Sequence, residues 1–215
     1  LVCILRIRGI TCLHCNTVIV DYQAIMILGA KGAGKSTTTA ALLKQGSRLL
    51  ADDVAVLLEQ ENSFFVQPGY PGLRLYEEVA TQLYGSYEHL EVLTSRPGIW
   101  QAKRSLSLLE DTKPFSQNPI PLAAIYILEE RSFDIKSVSI EPVSPTIGLF
   151  SLMQNTYVDW MLNQTGKNNE FRVLSKLADR VPIRVVKRPD NLAMLPQLCE
   201  AILEDVNGII QISLN

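Results

Sequence analysis

The chain has 215 residues, 47% apolar and 20% charged, enough for one domain with a full core. A net charge of −2 argues against a nucleic-acid-binding or anionic-membrane face. No apolar run approaches the roughly 20 residues of a membrane-spanning helix.

The chain begins at Leu1 rather than Met, and nothing at its start reads as a signal peptide. Residues 2–8 partly alternate and predict a strand. Cys12-Leu-His-Cys15 has C-x-x-C spacing, but a tetrahedral zinc site needs a second ligand pair. Only Cys3, Cys199, His14 and His89 remain to supply one, so buried thiols are the plainer expectation. Four cysteines are sparse for a disulfide scaffold. Thr17 to Val20 predicts a strand that turns at Asp21-Tyr22-Gln23 into a second one, an antiparallel hairpin.

The stretch from Ala24 to Asp53 carries the chemistry. A short apolar run, Ala24 to Leu28, leads into Gly29-Ala30-Lys31-Gly32-Ala33-Gly34-Lys35-Ser36, which matches G-x-x-x-x-G-K-[ST] throughout. A helical segment, Thr37 to Gln45, stops at Gly46. Leu49-Leu50-Ala51 then ends in Asp52 and Asp53. Glycines without a Cβ let the backbone turn its N–H groups toward phosphate oxygens, and the following helix N-terminus favours anions. A nucleoside triphosphate with Mg²⁺ is therefore expected on Gly29 through Thr37. Lys35 would reach the β/γ-phosphates, Ser36 the metal, and a carboxylate at the next strand end would hold or orient that metal.

Further on, Val54–Leu58 and Phe64–Val66 flank a polar turn and predict another hairpin. Pro68 to Gly72 reads as a rigid loop and Leu75 to Leu83 as a helix; Gly85 to Asn118 is mixed. Ala123–Leu128 and Phe133–Ile140 predict strands. Ser144-Pro145 opens a helix whose apolar positions run from Ile147 to Met161. A helix over Asn169–Arg180, a strand over Val181–Val186 and a helix over Pro196–Val206 complete the chain. Arg184, Lys187 and Arg188 read as a solvated strand face or a substrate rim. The expectation is one α/β domain over 1–215, a mixed sheet flanked by helices, working in the cytoplasm.

The ABC signature Leu-Ser-Gly-Gly-Gln and the guanine motif Asn-Lys-x-Asp are both missing. Lys31 lies four residues before Lys35, whereas ParA-like ATPases carry a lysine five before. The chain instead resembles the HPr kinase/phosphorylase C-terminal-domain family and its shorter serine-kinase-like relatives. The resemblance rests on His14 twenty-one residues before Lys35, and on Asp52-Asp53 seventeen and eighteen after it. Gln45-Gly46-Ser47-Arg48-Leu49-Leu50-Ala51 and Pro68-Gly69-Tyr70-Pro71-Gly72 also look like that group.

This resemblance implies the HPr kinase/phosphoenolpyruvate carboxykinase type of sheet, with ATP and Mg²⁺ and a protein or peptide acceptor. It implies Asp53 as general base, Asp52 near the metal with Ser36, and His14 orienting or exchanging a proton with Asp53. A solvated strand end for the acids and a structural role for His14 are the plain alternatives. The Glu-x-Arg-Gly-Leu-Gly segment of true HPr kinases is missing, so HPr itself, the dephosphorylating activity and the family's hexamer are not carried over; a homo-oligomer stays open. Glu77 or Glu78 are candidate substitute metal ligands, and Arg74, Lys103 and Arg104 candidates to meet phosphate or acceptor. A non-catalytic ATP-dependent switch and a small-molecule kinase are the competing expectations.

Overall fold

The structure, a computed structural model, describes residues 2–70, 72–93, 103–107 and 118–213. Its first element is a short helix, α1 (Val2–Ile7), where the sequence pattern predicts a strand. Periodicity cannot separate the two in so short an apolar run. The helical form buries Arg6 to 1% exposure against Glu170, its ion-pair partner, while Ile4 and Ile7 stay exposed.

The strands and helices that follow are β1 (Cys12–Leu13), β2 (Asn16–Val20), β3 (Gln23–Leu28), α2 (Lys35–Lys44), β4 (Arg48–Ala51), β5 (Ala55–Gln60) and β6 (Ser63–Gln67). Next come β7 (Gly72–Tyr76), α3 (Glu77–Tyr84), β8 (Glu91–Leu93), β9 (Lys103–Ser107), β10 (Ile120–Leu128) and β11 (Ser139–Pro142). The last are α4 (Pro145–Gln154), α5 (Gln164–Arg180), β12 (Ile183–Lys187) and α6 (Leu195–Ser213).

One mixed sheet runs in the order β1-β5-β6-β10-β3-β2-β4, and β12 adds to β10 and carries β11. The two expected hairpins form, β2 with β3 and β5 with β6, each antiparallel. β10 is parallel to β3 and to β12. Its first residues also pair antiparallel with β6. Because β3 is covered on both faces, its residues alternate between two cores rather than between core and water. Met26 and Leu28 pack toward Leu152, Leu174 and Leu177 of α4 and α5. Ile25 and Ile27 pack toward Leu42 of α2 and Leu198, Ile202 and Val206 of α6. Each such fully buried side chain contributes about 1.5–3 kcal/mol. A small antiparallel sheet, β7-β9-β8, lies against α2 and α3 through Leu73, Leu75, Ala80 and Leu90.

Several boundaries differ from the sequence expectation. Residues 75 and 76 belong to strand β7, because Leu73 and Leu75 point inward with period two, and the helix starts at Glu77. Pro71 and most of Gly85–Asn118 lie outside the described residues. Only the end of the Phe133–Ile140 strand forms; Phe133 is exposed, and pairing begins at Ser139. α4 starts at the expected Ser144 cap but stops at Gln154, leaving Ile147, Phe150, Met153 and Trp160 exposed. α5 starts earlier than expected, at an Asn163 cap, and α6 runs on to Ser213.

Candidate functional site

The carboxyl ends of β3, β10 and β12 point the same way, the end of a parallel arrangement where ligands are usually held. There the Gly29–Gly34 loop joins β3 to α2. Gly29 sits at φ 147°, and a Cβ on it would meet the Leu128 carbonyl oxygen at 2.7 Å. Only glycine fits at this close approach of β3 to β10. Gly32 and Gly34 also have positive φ, so the loop curls over the start of α2. Ala30, Lys31 and Gly32 are exposed on its outer side. Lys35, 7% exposed, lies along the inside and donates from Nζ to the Gly29 carbonyl at 2.8 Å.

Two strands away, β4 ends and the backbone turns sharply through Asp52 and Asp53. Asp53 is left-handed at φ 63°, and the Val54 N–H donates to the Asp52 carbonyl at 2.8 Å. In a straight strand, neighbouring acids would point to opposite faces. The turn removes that restriction, and Arg74 of β7 binds both carboxylates. Its backbone N–H and its Nε each donate to Asp52 Oδ2 at 3.2 Å, and its Nη2 donates to Asp53 Oδ2. Asp52 is buried and Asp53 is partly open. Burial and the adjacent Asp53 charge raise the Asp52 pKa, while Arg74 pulls it back. Asp52 Oδ1 is buried and has no hydrogen-bond partner among the described residues.

Asn16 of β2 joins the acid pair to the loop. Fully buried, it accepts from the Asp53 N–H at 3.2 Å and donates from Nδ2 to Ser36 Oγ at 3.5 Å. The sequence reading passed over this residue, although a signal was there. Asn16 is the polar head of a strand, Asn16–Val20, that runs on into the apolar Val18-Ile19-Val20 and pairs with β3.

His14 is half-buried, with its N–H on the Asn155 carbonyl at 2.7 Å and its ring 5.9 Å from that of Tyr157. Burial and the Lys35 cation lower its pKa; the Asp53 charge and a hydrogen bond with the Asp53 backbone act the other way. The structure thus gathers His14, Lys35, Ser36, Asp52 and Asp53 in one place.

Other candidates have different partners. Glu77 holds Arg104 at 2.6 Å, and Arg104 also lies 4.8 Å from the Tyr87 ring. The side chain of Lys103 lies outside the described residues. Cys12 and Cys15 are buried, and burial pushes their thiols up to about 11 and about 12. Among the described residues no group of three or more His, Cys, Asp or Glu side chains converges as a metal site.

The Arg184–Lys187–Arg188 cluster is not a uniform solvated face. Arg184 binds Asp205, and Lys187 forms an exposed pair with Glu141. Arg188 is buried to 5%, and donates to the Ala33 carbonyl inside the loop and to the Glu129 carbonyl at 3.0 Å. Burial, with Arg131 adding to it, pushes its pKa down to about 10.

No family model matches the chain. It is 24% identical over 186 residues to the HPr kinase/phosphorylase of Bacillus pumilus (strain SAFR-032), a distant likeness covering 81% of this chain. The chain spans 56% of that relative's length. Among solved structures, the Hpr(Ser) kinase/phosphatase from Coxiella burnetii aligns over 90% of this chain and 95% of its own. That alignment has a TM-score of 0.43 at 13% identity. No helix among the described residues is long and apolar enough to cross a membrane.

Proposed function

We propose that this chain is an ATP-dependent kinase of HPr kinase-like type, transferring the γ-phosphoryl group to a serine or similar hydroxyl of a protein or peptide. The observation that carries it is the link from Ser36 through Asn16 to Asp53, which ties a phosphate-loop hydroxyl to a carboxylate pair. The distant likeness to a kinase/phosphorylase supports the same class.

In this reading the backbone of Gly29 through Thr37 cradles the phosphates, and Lys35 leaves the Gly29 carbonyl to reach the β/γ oxygens. The residues fit a magnesium ion. Asp52 offers a buried oxygen with no partner among the described residues, and Mg²⁺ commonly takes one or two carboxylates plus substrate phosphates. Ser36 and Asp52 would hold it, and it would neutralise charge on the β- and γ-oxygens. Asp53 accepts the proton of the acceptor hydroxyl. His14, whose pKa burial and the Lys35 cation hold below the ordinary imidazole value, orients Asp53 or passes on that proton. The cytoplasm, where such donors and acceptors meet, is the proposed setting, and a homo-oligomer is compatible with the fold.

A second reading, an ATP-dependent switch without transfer, draws on Arg74. Its guanidinium bonds one oxygen of each carboxylate, and the positive charge it holds there opposes protonation of Asp53 while it stays in place.

The deciding experiment supplies γ-labelled ATP and Mg²⁺ to a lysate of the source cells, with the wild type, Asp53→Asn and Lys35→Ala. Discrete label in a protein or peptide, lost in both variants, establishes the kinase. ATP binding by the wild type with no label anywhere establishes the switch, and label in a metabolite points to a small-molecule kinase.

A further inference from the structure

An exposed face of the small sheet lies beside the acid pair. Along β7, Leu73 and Leu75 point into the core, so Arg74 and Tyr76 share the outer face, where Tyr76 is 39% exposed. The loop before β7 is pressed against β4 immediately ahead of the acids. The Gly69 N–H donates to the Leu50 carbonyl at 2.7 Å, and a Cβ on Gly69 would lie 3.1 Å from that of Ala51. The next residue, Tyr70, lays its ring on the bare Cα of Gly72, where a Cβ would meet Tyr70 Cε1 at 2.8 Å. The Gly72 N–H also donates to the Tyr70 carbonyl at 2.9 Å. Tyr70 is thus seated on backbone yet 72% exposed, an aromatic platform rather than a loose surface side chain. A row results: Tyr70 at the level of Gly72, then Arg74, then Tyr76. The guanidinium of its middle residue ends on Asp52 and Asp53.

We infer that this row is the docking face for the acceptor, and that the acceptor is an extended polypeptide segment. It carries an aromatic or large aliphatic side chain two residues to each side of its hydroxyl. The inference rests on the kinase reading and names the substrate class of that site. Residues two apart share a face in an extended chain, and four residues advance about 13 Å, the run of β7 from Gly72 to Tyr76. A segment laid along the row sets its outer side chains on the two rings and its central hydroxyl over Arg74, beside Asp53. Rings seated in advance lose little freedom on binding, and their apolar faces gain from being covered. The row is continuous with the acid pair through Arg74, which makes its occupant the acceptor rather than a second copy of the chain. A small metabolite could reach Asp53 but not both rings at once. In the transfer, the acceptor oxygen bonds the γ-phosphorus, the bond to the bridging oxygen breaks, ADP leaves, and the hydroxyl proton passes to Asp53.

The test supplies γ-labelled Mg²⁺-ATP to the wild type, Tyr70→Ala, Tyr70→Phe and Tyr76→Ala. Two probes are used: the source-cell lysate, and a library of short peptides with one central serine, varied position by position. Direct ATP binding reports that each variant is folded. The wild type should favour aromatic and large aliphatic residues two before and two after the serine. Tyr70→Ala should erase the preference on one side and Tyr76→Ala on the other. Each should raise the KM of the best peptide about tenfold, with kcat and ATP affinity little changed. Tyr70→Phe, which keeps the ring, should keep both preferences. The inference alone is overturned if the wild type labels a lysate protein but no peptide, or labels peptides without that preference. It is equally overturned if the alanine variants match the wild type, or lose ATP affinity together with labelling. No label in either probe, or label only in a metabolite, overturns the polypeptide-kinase reading as well, so the two failures are distinguishable.

Discussion

Asn16 is a buried amide whose two ends serve different partners, the Asp53 N–H and the Ser36 hydroxyl. An amide presents an acceptor and a donor together, which no apolar isostere can copy. Asn16→Ala should therefore lower phosphoryl transfer by about 10–100-fold through misplacement, with ATP affinity little changed. Steady-state kinetics beside direct ATP binding check that split. His14 gives a pH prediction with a definite sign. Its folded pKa is below the unfolded 6.5, so folding prefers the neutral ring. Its contribution to stability is complete above pH 6.5 and falls as the pH drops through the folded value. An NMR titration should place the His14 midpoint below 6.5, and His14→Gln should flatten the acid limb of the stability profile.

At the scale of elements, the loop depends on strands β10 and β12 as much as on its own glycines. Gly29→Ala would drive a Cβ into the Leu128 carbonyl and should abolish nucleotide binding while lowering the melting temperature. Arg188→Met should cost about 1–3 kcal/mol for each carbonyl left bare, at Ala33 and Glu129, read from urea unfolding. The phosphate-loop octet, both hairpins and the acid pair were legible in the sequence because each is local, fixed within a few residues by glycine positions, turn residues and period. Arg188 was not. Its partner Ala33 lies 155 residues away, and only the parallel pairing of β12 with β10 brings it to the loop. The short first helix was misread for a related reason. Arg6 is buried by its ion pair with distant Glu170, a tertiary contact that overrides the local alternation. Arg74 was legible as a cation to meet phosphate or acceptor; its grip on both acids needs the turn at Asp53, which a strand pattern does not announce.

Across the whole molecule, the nine residues of β10 are shared among three neighbours. Its start is laddered to β6, its middle and end to β3, and its last four residues also to β12. A strand hydrogen-bonded along both edges exposes an amide only when the neighbour that amide donates to detaches, as Ile125 N–H donates to the Pro182 carbonyl. Ile125–Leu128, flanked by β3 and β12, should therefore be among the slowest-exchanging amides of the described residues. α1, a single short helix at the edge, should exchange early. In the proposed reading, ATP bound on the loop between β3 and α2 should slow exchange at β10, by up to the factor by which it stabilises the native state. On the proposed ATP-binding reading, the strand would serve as a built-in gauge of nucleotide affinity, readable by mass spectrometry without label or acceptor.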